Sequence, residues 1–489
     1  MHTTLPTWLA LSAATIIPSV SAFYPYQYDA VNVSPSPSHP QRLSRASNDN
    51  RARSATLPLR RIATNLHSRQ SNVYNIVSSK KPSQDKSVAI DQDGKDLSYM
   101  VAVTFGDSKE EYHLLLDSAA SNTWVMGQDC KSEACKTHTL FGKGDSSTLK
   151  TDTKAFSMTY GTGSASGTLA SDTVHLGSTL SSPLTFGLAN NVSDEFRAYP
   201  MDGILGIGRG SVNKQDGEID APQIMDVLSS SQLIPSKLYG IHLSRASDSL
   251  SDGSLDIGHI DESRFSGDLN YLECVDNDTG FWEIPLEGAS VDGKDAAMGT
   301  VSRTAIIDTG TSFILMPSAD AKAIHTPIKD MAQNGESFFV PCDTTASLAF
   351  SFNKQSYNIS SKDWIGDKVE NDSRNLCRSN IIGRQTFGEH QWLVGDVFLK
   401  NVYAVFDFEG KRVGFGVKSS DDEASKASAS ASSGLPTPSA SASGVARPSI
   451  SAAAEKAPQG QASSGVATAD LSSSGLALVV AFAAIFMFV

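Results

Sequence analysis

The feature that most restricts what this chain can fold into is a short motif that occurs twice. "LLLDSAAS" places Asp117 after three leucines, and "AIIDTGTS" places Asp308 in a matching context 191 residues later. Each copy runs from apolar residues into Asp, a hydroxyl residue, two more small residues and Ser. This pattern suits a buried strand that turns sharply, so that the carboxylate projects from the loop. Two such loops predict two similar lobes that bring the aspartates face to face.

Two carboxyl groups at close range have a characteristic chemistry. They cannot both ionise cheaply, so one pKa falls, the other rises, and the pair shares one proton. The ionised member can take a proton from a water molecule, and the protonated member can polarise a carbonyl group. This predicts hydrolysis of a peptide bond without a covalent intermediate. A single Asp in such a turn is commonly only a turn-forming residue; the matched pair favours catalysis.

Residues 87 to 418 are predicted to be mainly β. Gly- and Ser-rich turns separate short strand-like segments, among them "SYMVAVTFG", "YHLLLDS", "GTLASDTVHL", "LYGIHL", "RTAIIDTG" and "WLVGDVFL". The better helix candidates are "APQIMDVLSSSQLI" and "SADAKAIHTPI". Hydrophobic residues make up 40% of the chain, which is enough to build a core.

Several function classes are disfavoured. The net charge of −13 argues against nucleic acid as a partner, because phosphate binding requires a basic face. "GTGSASG" lacks the Lys-Ser/Thr of a phosphate-binding loop, and Ala165 at its centre excludes a nucleophile elbow. The ten histidines show no paired-ligand spacing, so no metal site and no cofactor are expected.

The N-terminal region is predicted to be removed during maturation. Residues 1–22 are interpreted as a signal peptide, because an apolar run ends in the small residues Ser21 and Ala22; a buried helix of the mature protein is the alternative. Residues 23–86 hold ten Lys or Arg against three acids and are interpreted as a basic prosegment lying over an acidic body. The alternative is a tail that is merely basic. Arg60-Arg61 is a candidate processing site, whereas Pro82 would follow a cut at Lys80-Lys81.

The C-terminal region carries a second targeting signal. Residues 419–474 are dominated by Ser, Ala, Gly, Pro and Thr and are predicted to form a disordered stalk. Residues 475–489 are apolar but short of the roughly 20 residues that span a bilayer, so we interpret them as a glycolipid (GPI) anchor signal. A short transmembrane tail and a packed terminal helix are the alternatives. The predicted location is the cell surface, at the plasma membrane or wall, with the vacuole as the alternative.

These motifs, in this order, resemble those of pepsin-like aspartic endopeptidases of the secreted or surface-anchored fungal kind over about residues 88–417. The resemblance implies a bilobed fold with lobes at 87–265 and 266–418, and a cleft that binds an extended peptide of roughly eight residues. It implies a monomer whose other partner is its own prosegment. "MDGILGIG" and "WLVGDVFLKNVYAVFDFEGKRVGFG" resemble the segments behind the two active-site loops.

The resemblance also implies roles for individual residues. Asp117 and Asp308 would be the catalytic aspartates, with Ser118 and Thr309 bracing the two loops against each other. "FSMTYGTGSASG" resembles the flap hairpin that closes over the substrate. The remaining implied site residues are the flap residues Tyr160, Gly161 and Thr162, the flap-bonding Trp124, and the loop-supporting Gly310 and Thr311.

Cysteines and glycosylation motifs agree with an oxidising, secretory route. The resemblance implies disulfides Cys130–Cys135 and Cys342–Cys377. Cys274 is left over, either as a buried thiol or as a site of intermolecular pairing. The Asn-x-Ser/Thr sites are Asn32, Asn191, Asn277, Asn358 and Asn371.

The first aspartate loop departs from the family pattern of Asp-Thr-Gly-Ser-Ser. Ala119 replaces a glycine, and its Cβ adds crowding that is costly if the local φ is positive. Ala120 replaces a residue whose hydroxyl donates a hydrogen bond to the first aspartate. Loss of this donor should raise the pKa of Asp117. One hypothesis is therefore an active enzyme with a pH optimum shifted toward weakly acidic or neutral values. The others are a non-catalytic peptidase-fold binder and a stalked surface glycoprotein.

Overall fold

The computed structural model describes residues 72–210, 218–370 and 372–418. This part is mostly β, as the sequence predicts, with 27 strands and four short α-helices. The strands of the first half are β1 Ser87–Ala89, β2 Asp91–Gln92, β3 Tyr99–Phe105, β4 Tyr112–Asp117, β5 Trp124–Met126, β6 Lys150–Tyr160, β7 Gly163–Leu176, β8 Leu180–Val192, β9 Gly203–Gly206, β10 Leu238–His242 and β11 Ser254–Ile257.

The strands of the second half are β12 Phe265–Glu273, β13 Glu283–Leu286, β14 Gly288–Val291, β15 Lys294–Asp295, β16 Arg303–Ile307, β17 Ile314–Leu315, β18 Ala332–Asn334, β19 Ser337–Pro341, β20 Leu348–Phe352, β21 Gln355–Ile359, β22 Ile365–Lys368, β23 Leu376–Ser379, β24 Ile381–Ile382, β25 Gln391–Val394, β26 Val402–Asp407 and β27 Arg412–Lys418. The α-helices are α1 Ile224–Ser230, α2 Ser318–His325, α3 Ser361–Trp364 and α4 Asp396–Leu399. Single 3-10 turns lie at Ala134–Thr137, Asp194–Ala198, Ala246–Asp248 and Glu262–Arg264.

Both predicted helical segments contain a helix, α1 and α2, but one predicted strand is interrupted. "WLVGDVFL" forms β25 only as far as Val394, and α4 starts at Asp396. Gly395 lies against the backbone of the second aspartate loop, where a Cβ would come within 1.9 Å of the Thr311 carbonyl oxygen. The chain turns there because only glycine permits this approach, and the helical turn follows.

The two halves repeat one local arrangement. In the first half, β4 pairs in parallel with β9, and β5 pairs antiparallel with β9. In the second half, β16 pairs in parallel with β25, and β17 pairs antiparallel with β25. Strands paired on both sides and buried on both faces are apolar throughout, which explains the unbroken runs before each aspartate. The predicted pair of similar lobes is therefore present at the level of strand topology.

Sheets of different size surround these repeats. The first half forms one eight-stranded sheet, ordered β2-β3-β4-β9-β5-β8-β7-β6, with β6 and β7 making the long flap hairpin. The second half forms a five-stranded sheet, β13-β16-β25-β17-β24, and two four-stranded sheets, β15-β14-β20-β21 and β18-β19-β23-β22. A six-stranded sheet, β1-β11-β10-β26-β27-β12, combines strands from both halves and was not anticipated from the sequence.

Residues 72–77, here called the N-terminal strap, pack on the first half of the chain. Val77 bridges to Gln92, and the Tyr74 ring packs at a tilt against His138 with ring centroids 5.1 Å apart. The Asn72 side-chain nitrogen donates to Asp202 Oδ1 over 3.0 Å. The strap is therefore an integral part of the folded body, although it lies in the range that the sequence assigns to the prosegment.

The other predicted end segments lie outside the described residues: the signal peptide, most of the prosegment, the stalk and the apolar tail. Within residues 72–210, 218–370 and 372–418, no helix has the length and apolar character needed to cross a bilayer.

Both implied disulfides are present. Cys130–Cys135 closes a loop beside the 3-10 turn at Ala134–Thr137, and Cys342–Cys377 joins β19's end to β23. Such cross-links stabilise a fold by about 2–4 kcal/mol, mainly by restricting the unfolded chain. Cys274 remains a thiol, and burial raises its pKa to about 11, so it is a poor nucleophile.

Candidate active site

The two aspartate loops brace each other through their hydroxyl residues. The Ser118 amide donates to Thr309 Oγ1, and the Thr309 amide donates to Ser118 Oγ, both over 3.0 Å. Each hydroxyl then donates across the interface, Ser118 Oγ to the Ile307 carbonyl over 3.1 Å and Thr309 Oγ1 to the Leu116 carbonyl over 2.7 Å. The four bonds are related by an approximate two-fold, so each loop is positioned by the other.

This brace brings together Asp117 and Asp308, which both have 0% of their surface exposed. Their carboxyl groups lie close enough for the charge of Asp308 to raise the pKa of Asp117. Gly310 permits this approach, because a Cβ at that position would lie 2.7 Å from the Asp117 carboxyl carbon. The brace and Gly310 therefore place the two carboxyls side by side, and a pair in this arrangement shares one proton.

The donors to the two carboxyls are arranged differently. Asp117 Oδ1 accepts from the amides of Ala119 (2.9 Å) and Ala120 (2.7 Å), while its buried Oδ2 receives no hydrogen bond from a donor among the described residues. Asp308 Oδ1 accepts from the Gly310 amide (2.8 Å), and its Oδ2 accepts from the Thr311 hydroxyl (2.6 Å). The hydroxyl at Thr311 thus has no counterpart at Ala120.

Burial dominates the proton affinity of both groups. It raises the pKa of Asp117 well above its usual range, with the charge of Asp308 adding to the rise and the Ala120 and Ala119 amides opposing it. Burial also raises the pKa of Asp308 to about 7, against the lowering effect of the Thr311 hydroxyl and the Gly310 amide. The pair therefore keeps at least one proton throughout the acidic range.

The helical turn α4 places a further buried carboxylate near the pair. Burial raises the pKa of Asp396 well above its usual range; Lys400 opposes the rise and Asp308 adds to it. Lys400 Nζ lies 3.3 Å from Asp363 Oδ1. Sequence reasoning missed Asp396, because "WLVGDVFL" was interpreted only as a strand; a polar residue inside that apolar run was the available signal.

The flap residues lie where the sequence predicts. Gly161 and Thr162 form the turn between β6 and β7, and Tyr160 is the last residue of β6. Trp124 Nε1 donates to the Tyr160 hydroxyl over 2.7 Å. Phe196, which sequence reasoning missed, packs edge-on against Trp124 and Tyr160, with centroids 5.5 and 6.3 Å away. The flap is therefore held next to its turn by a hydrogen bond and an aromatic cluster.

Ala119 fits its position without backbone strain. Its φ is not positive, so the conformational penalty considered from the sequence does not arise. Its methyl group packs against an apolar cluster from the second half of the chain, which consists of Phe281, Ile306, Leu315, Leu393, Ile382 and Phe387. The alanine at this position therefore adds an apolar contact with the other lobe that a glycine would not make.

The predicted glycosylation sites differ in their surroundings. Asn191 and Asn358 are exposed on β8 and β21. The Asn277 side chain donates to the carbonyls of Val275 and Phe281 and is half-buried. Asn371 and Asn32 lie outside the described residues. Within the described part of the chain, no group of three or more His, Cys, Asp or Glu side chains could hold a metal ion.

Comparisons with known proteins agree with this geometry. A family model described as eukaryotic aspartyl protease matches residues 98–418. The "Probable aspartic-type endopeptidase CTSD" of Arthroderma benhamiae is 42% identical over 368 residues, which cover 75% of this chain and 69% of that protein. The "Aspartic-type endopeptidase ctsD" of Aspergillus fumigatus is 37% identical over 426 residues, covering 84% and 86%. "Pepsin A" of Sus scrofa is 31% identical over 326 residues, covering 65% and 81%.

The matched span includes both aspartate loops, the flap hairpin and five of the six strands of the sheet that joins the halves. The likeness therefore extends over the whole described body except its first strands and the strap. This chain belongs to the eukaryotic aspartyl protease family, as a pepsin-like aspartic endopeptidase.

Proposed function

We propose that Asp117 and Asp308 hydrolyse peptide bonds by general acid–base activation of water. The ionised carboxyl of the pair takes a proton from the water molecule as its oxygen attacks the carbonyl carbon. The protonated carboxyl gives its proton to the carbonyl oxygen, so that a neutral gem-diol forms. Return of a proton to the amide nitrogen then breaks the carbon–nitrogen bond and releases an acid and an amine.

One observation carries this proposal: two fully buried carboxyls are held side by side by a reciprocal hydroxyl brace. Burying two acids side by side is costly, and a purely structural site would be more stable with one of them replaced. The four bonds between the loops resist the separation that would relieve this cost. A positioned pair that retains one proton suits acid–base work.

The substrate is proposed to be a peptide in extended form, lying between the flap and the aspartates. The turn residues Gly161 and Thr162 would close over it, with the neighbouring Tyr160 held by Trp124 and Phe196. The cluster around Ala119, Phe281 and Phe387 offers an apolar surface beside the pair. Apolar side chains of the substrate next to the cleaved bond are therefore favoured.

The protein is proposed to be made as a zymogen. The basic prosegment would cover the acidic body at neutral pH, and acid would weaken its ion pairs by protonating carboxylates. The contacts of the N-terminal strap favour cleavage upstream of Asn72, for instance at Arg60-Arg61. A cut at Lys80-Lys81 would instead detach the strap, whose Asn72 and Tyr74 contact the body.

Display at the cell surface is the proposed destination. The signal peptide, the Ser- and Ala-rich stalk and the apolar tail of the sequence support secretion followed by lipid anchoring. The exposed Asn191 and Asn358 are better placed to carry glycans than Asn277, whose side-chain amide is engaged by the backbone.

The deciding experiment measures cleavage of an internally quenched hydrophobic peptide by the activated protein, from acidic to neutral pH, with and without pepstatin. We expect pepstatin-sensitive hydrolysis that is lost in Asp308→Ala. A folded protein that binds the peptide but shows no hydrolysis at any pH would establish the non-catalytic binder instead. Hydrolysis that survives in Asp308→Ala would also reject the proposed mechanism.

A further inference from the structure

We propose that Arg209 is a positioning residue for substrate selection. Its guanidinium holds Phe281 in place, and Phe281 supports the apolar surface that receives one of the two substrate side chains next to the cleaved bond. Arg209 therefore acts through Phe281 and not on the reacting atoms. This inference rests on the proposed binding of an extended peptide, but it concerns which side chain is selected and can be tested without turnover.

Arg209 and Phe281 belong to different halves of the chain, and each lies close in sequence to a strand of the repeated arrangement. Arg209 follows β9, which pairs in parallel with β4, so that Gly206 stands opposite Asp117. Phe281 precedes β13, which pairs with β16, the strand before Asp308. A contact between Arg209 and Phe281 therefore joins the surroundings of the two aspartates.

The guanidinium of Arg209 contacts three consecutive residues. Its Nε donates to the Gly280 carbonyl oxygen over 3.3 Å, and its Nη2 donates to the Phe281 carbonyl oxygen. Its central carbon lies 5.0 Å from the centroid of the Trp282 ring, which is a cation–π distance. The planar fork of arginine can make these contacts together, whereas the single ammonium group of lysine cannot.

Phe281 is also held by its backbone from within the second half. The Asn277 side chain accepts a hydrogen bond from the Phe281 amide over 3.1 Å and donates one to the Phe281 carbonyl oxygen over 3.2 Å. With the bond from Arg209, both lone pairs of that carbonyl oxygen are used. Asn277 therefore fixes Phe281 within the second half, and Arg209 fixes it to the first half.

The Phe281 side chain connects this network to the catalytic pair. Only 6% of Phe281 is exposed, and its ring packs against that of Phe387 with centroids 5.3 Å apart. Both belong to the apolar cluster on which the Ala119 methyl group packs, and the Ala119 amide donates to Asp117 Oδ1 over 2.9 Å. Ala119, Phe387 and Ile382 remain partly exposed and would meet the substrate, while the buried Phe281 supports this surface.

The consequence for specificity follows from packing. A substrate side chain that fits its site gains dispersion contacts with the residues that line it, and a gap of roughly 1 Å already forfeits part of them. If Phe281 loses its contact with the first half, it can move away from the surface that it supports. A large apolar side chain should then lose more affinity than a small one, so selectivity falls.

Charge is the alternative route from Arg209 to the catalytic pair. Burial raises the pKa of Tyr239, and Asp117 and Asp308 add to the rise while Arg209 opposes it, so the guanidinium and the two acids act on one phenol. Lysine at position 209 would keep this charge and lose the planar fork. The two explanations therefore predict different results for Arg209→Lys.

The experiment measures the binding of non-cleavable peptides to the folded, activated protein. Each peptide carries a reduced CH2–NH bond in place of the scissile amide, with leucine or alanine at one of the two flanking positions, and calorimetry gives the affinities. The parent should prefer leucine over alanine by roughly 30-fold at one flanking position, within the range for apolar sites. In both Arg209→Gln and Arg209→Lys, this preference should fall to roughly threefold.

Three results would overturn the proposal. One is a parent that shows no preference at either position, and another is a preference that is unchanged in both Arg209 variants. The third is a preference lost in Arg209→Gln but kept in Arg209→Lys, which would show that the charge acts and the contacts do not. Circular dichroism verifies folding, and Arg209→Lys, which keeps the charge, tests the proposal even if Arg209→Gln does not fold.

Two further variants separate positioning from general loosening of the fold. Arg412 on β27 also lies over an aromatic ring, that of Tyr271 at 4.0 Å, and its Nε donates to Asp407 over 2.8 Å, so Arg412→Gln is a matched control that should leave the preference unchanged. In a Phe281→Ala background, Arg209→Gln should lower the preference no further, because both changes act on one element. An equal fall in Arg412→Gln, or a further fall of the same size in the double variant, would contradict an action through Phe281.

Failure of this inference is distinguishable from failure of the proposed function, because hydrolysis of the matching amide peptides is measured on the same proteins. An active enzyme whose preference does not depend on Arg209 would retain the function and lose only the inference. An inactive protein whose peptide preference does depend on Arg209 would retain the inference and lose the function.

Discussion

The two aspartate loops share a backbone arrangement, but they donate different sets of hydrogen bonds to their carboxyls. Across the brace, Ser118 and Thr309 do the same work, each accepting from one amide and donating to one carbonyl of the other loop. Beyond the brace, Asp308 has a donor on each oxygen, while both donors of Asp117 lie on a single oxygen. The two loops are therefore symmetric in the hydrogen bonds that position the pair, and asymmetric in the hydrogen bonds that the two carboxyls accept.

The largest effect is expected when either acid is removed. Asp117→Ala and Asp308→Ala should each lower kcat/KM by roughly 1,000-fold or more, because each takes away a general acid or base. Steady-state kinetics on a quenched peptide, with circular dichroism to verify folding, provides the measurement. A loss confined to one of the two variants would contradict the shared-proton pair, which requires both loops.

The pH dependence of stability should follow from the raised pKa values. Burial raises the pKa of Asp308 to about 7, so the folded state holds protons that the unfolded state releases. That contribution to stability is complete below pH ~4 and is lost as pH rises through about 7. Asp308→Asn should therefore be more stable than the parent by about 2–4 kcal/mol at neutral pH and nearly equal to it in acid. Thermal unfolding of both proteins across this range is the test, and a pH-independent difference would contradict it.

Removing either bracing hydroxyl tests the symmetric part of the comparison. Ser118→Ala and Thr309→Ala should each destabilise the protein by about 1–3 kcal/mol, because a buried amide and a buried carbonyl lose their partner. The conservative variants Ser118→Thr and Thr309→Ser keep the hydroxyl and serve as controls. Since the residues belong to one network, the double variant should lose less than the sum of the two losses. Strict additivity in chemical denaturation would show that the loops are independent.

Adding a hydroxyl to the first loop tests the asymmetric part. Ala120→Ser should lower the pH optimum of hydrolysis by about one unit, because a donor to the charged form lowers the pKa of Asp117. Thr311→Val should move the optimum upward, with Thr311→Ser as its control. An optimum in Ala120→Ser that equals or exceeds that of the parent would show that the methyl group at Ala120 does not tune the pair.

The smallest effect concerns a feature of the first half with no described counterpart in the second. Trp124→Phe removes the hydrogen bond to Tyr160 but keeps an aromatic ring against Phe196. We expect a loss of roughly threefold to tenfold in kcat/KM, since one net hydrogen bond is worth about 1 kcal/mol. Tyr160→Phe removes the same bond from the other side and should give a similar loss. A much larger loss in only one of them would show that its side chain acts beyond the pair.

The parts of this molecule that the sequence predicts are those that short motifs encode. Asp117, Ser118, Asp308 and Thr309 stand in contiguous segments whose residue types dictate a buried strand and a tight turn, and the structure brings these segments together. The flap is similarly local, because β6 and β7 are joined by a two-residue turn.

The parts that the sequence does not reveal depend on distant pairing. β10 pairs with β26 through partners such as Gly240 and Val405, and the sequence of neither segment indicates that it pairs with the other. In the sequence, Phe196 is an ordinary aromatic residue and Asp396 is a polar residue in an apolar run. Their importance comes only from the residues that pack against them in the fold. The basic composition of residues 23–86 places the strap in the prosegment, since composition does not show that Asn72 reaches Asp202.

The reciprocal brace has a consequence for how such a protein is made. Ser118 finds its partners 189 and 191 residues later in the chain. A ribosome-bound chain that ends before Asp308 holds only one acid and one half of the brace, so it has no assembled cleft. Hydrolytic capacity therefore arises only after the second half has been synthesised and docked, which protects the producing cell from every incomplete copy, whatever the state of the leader.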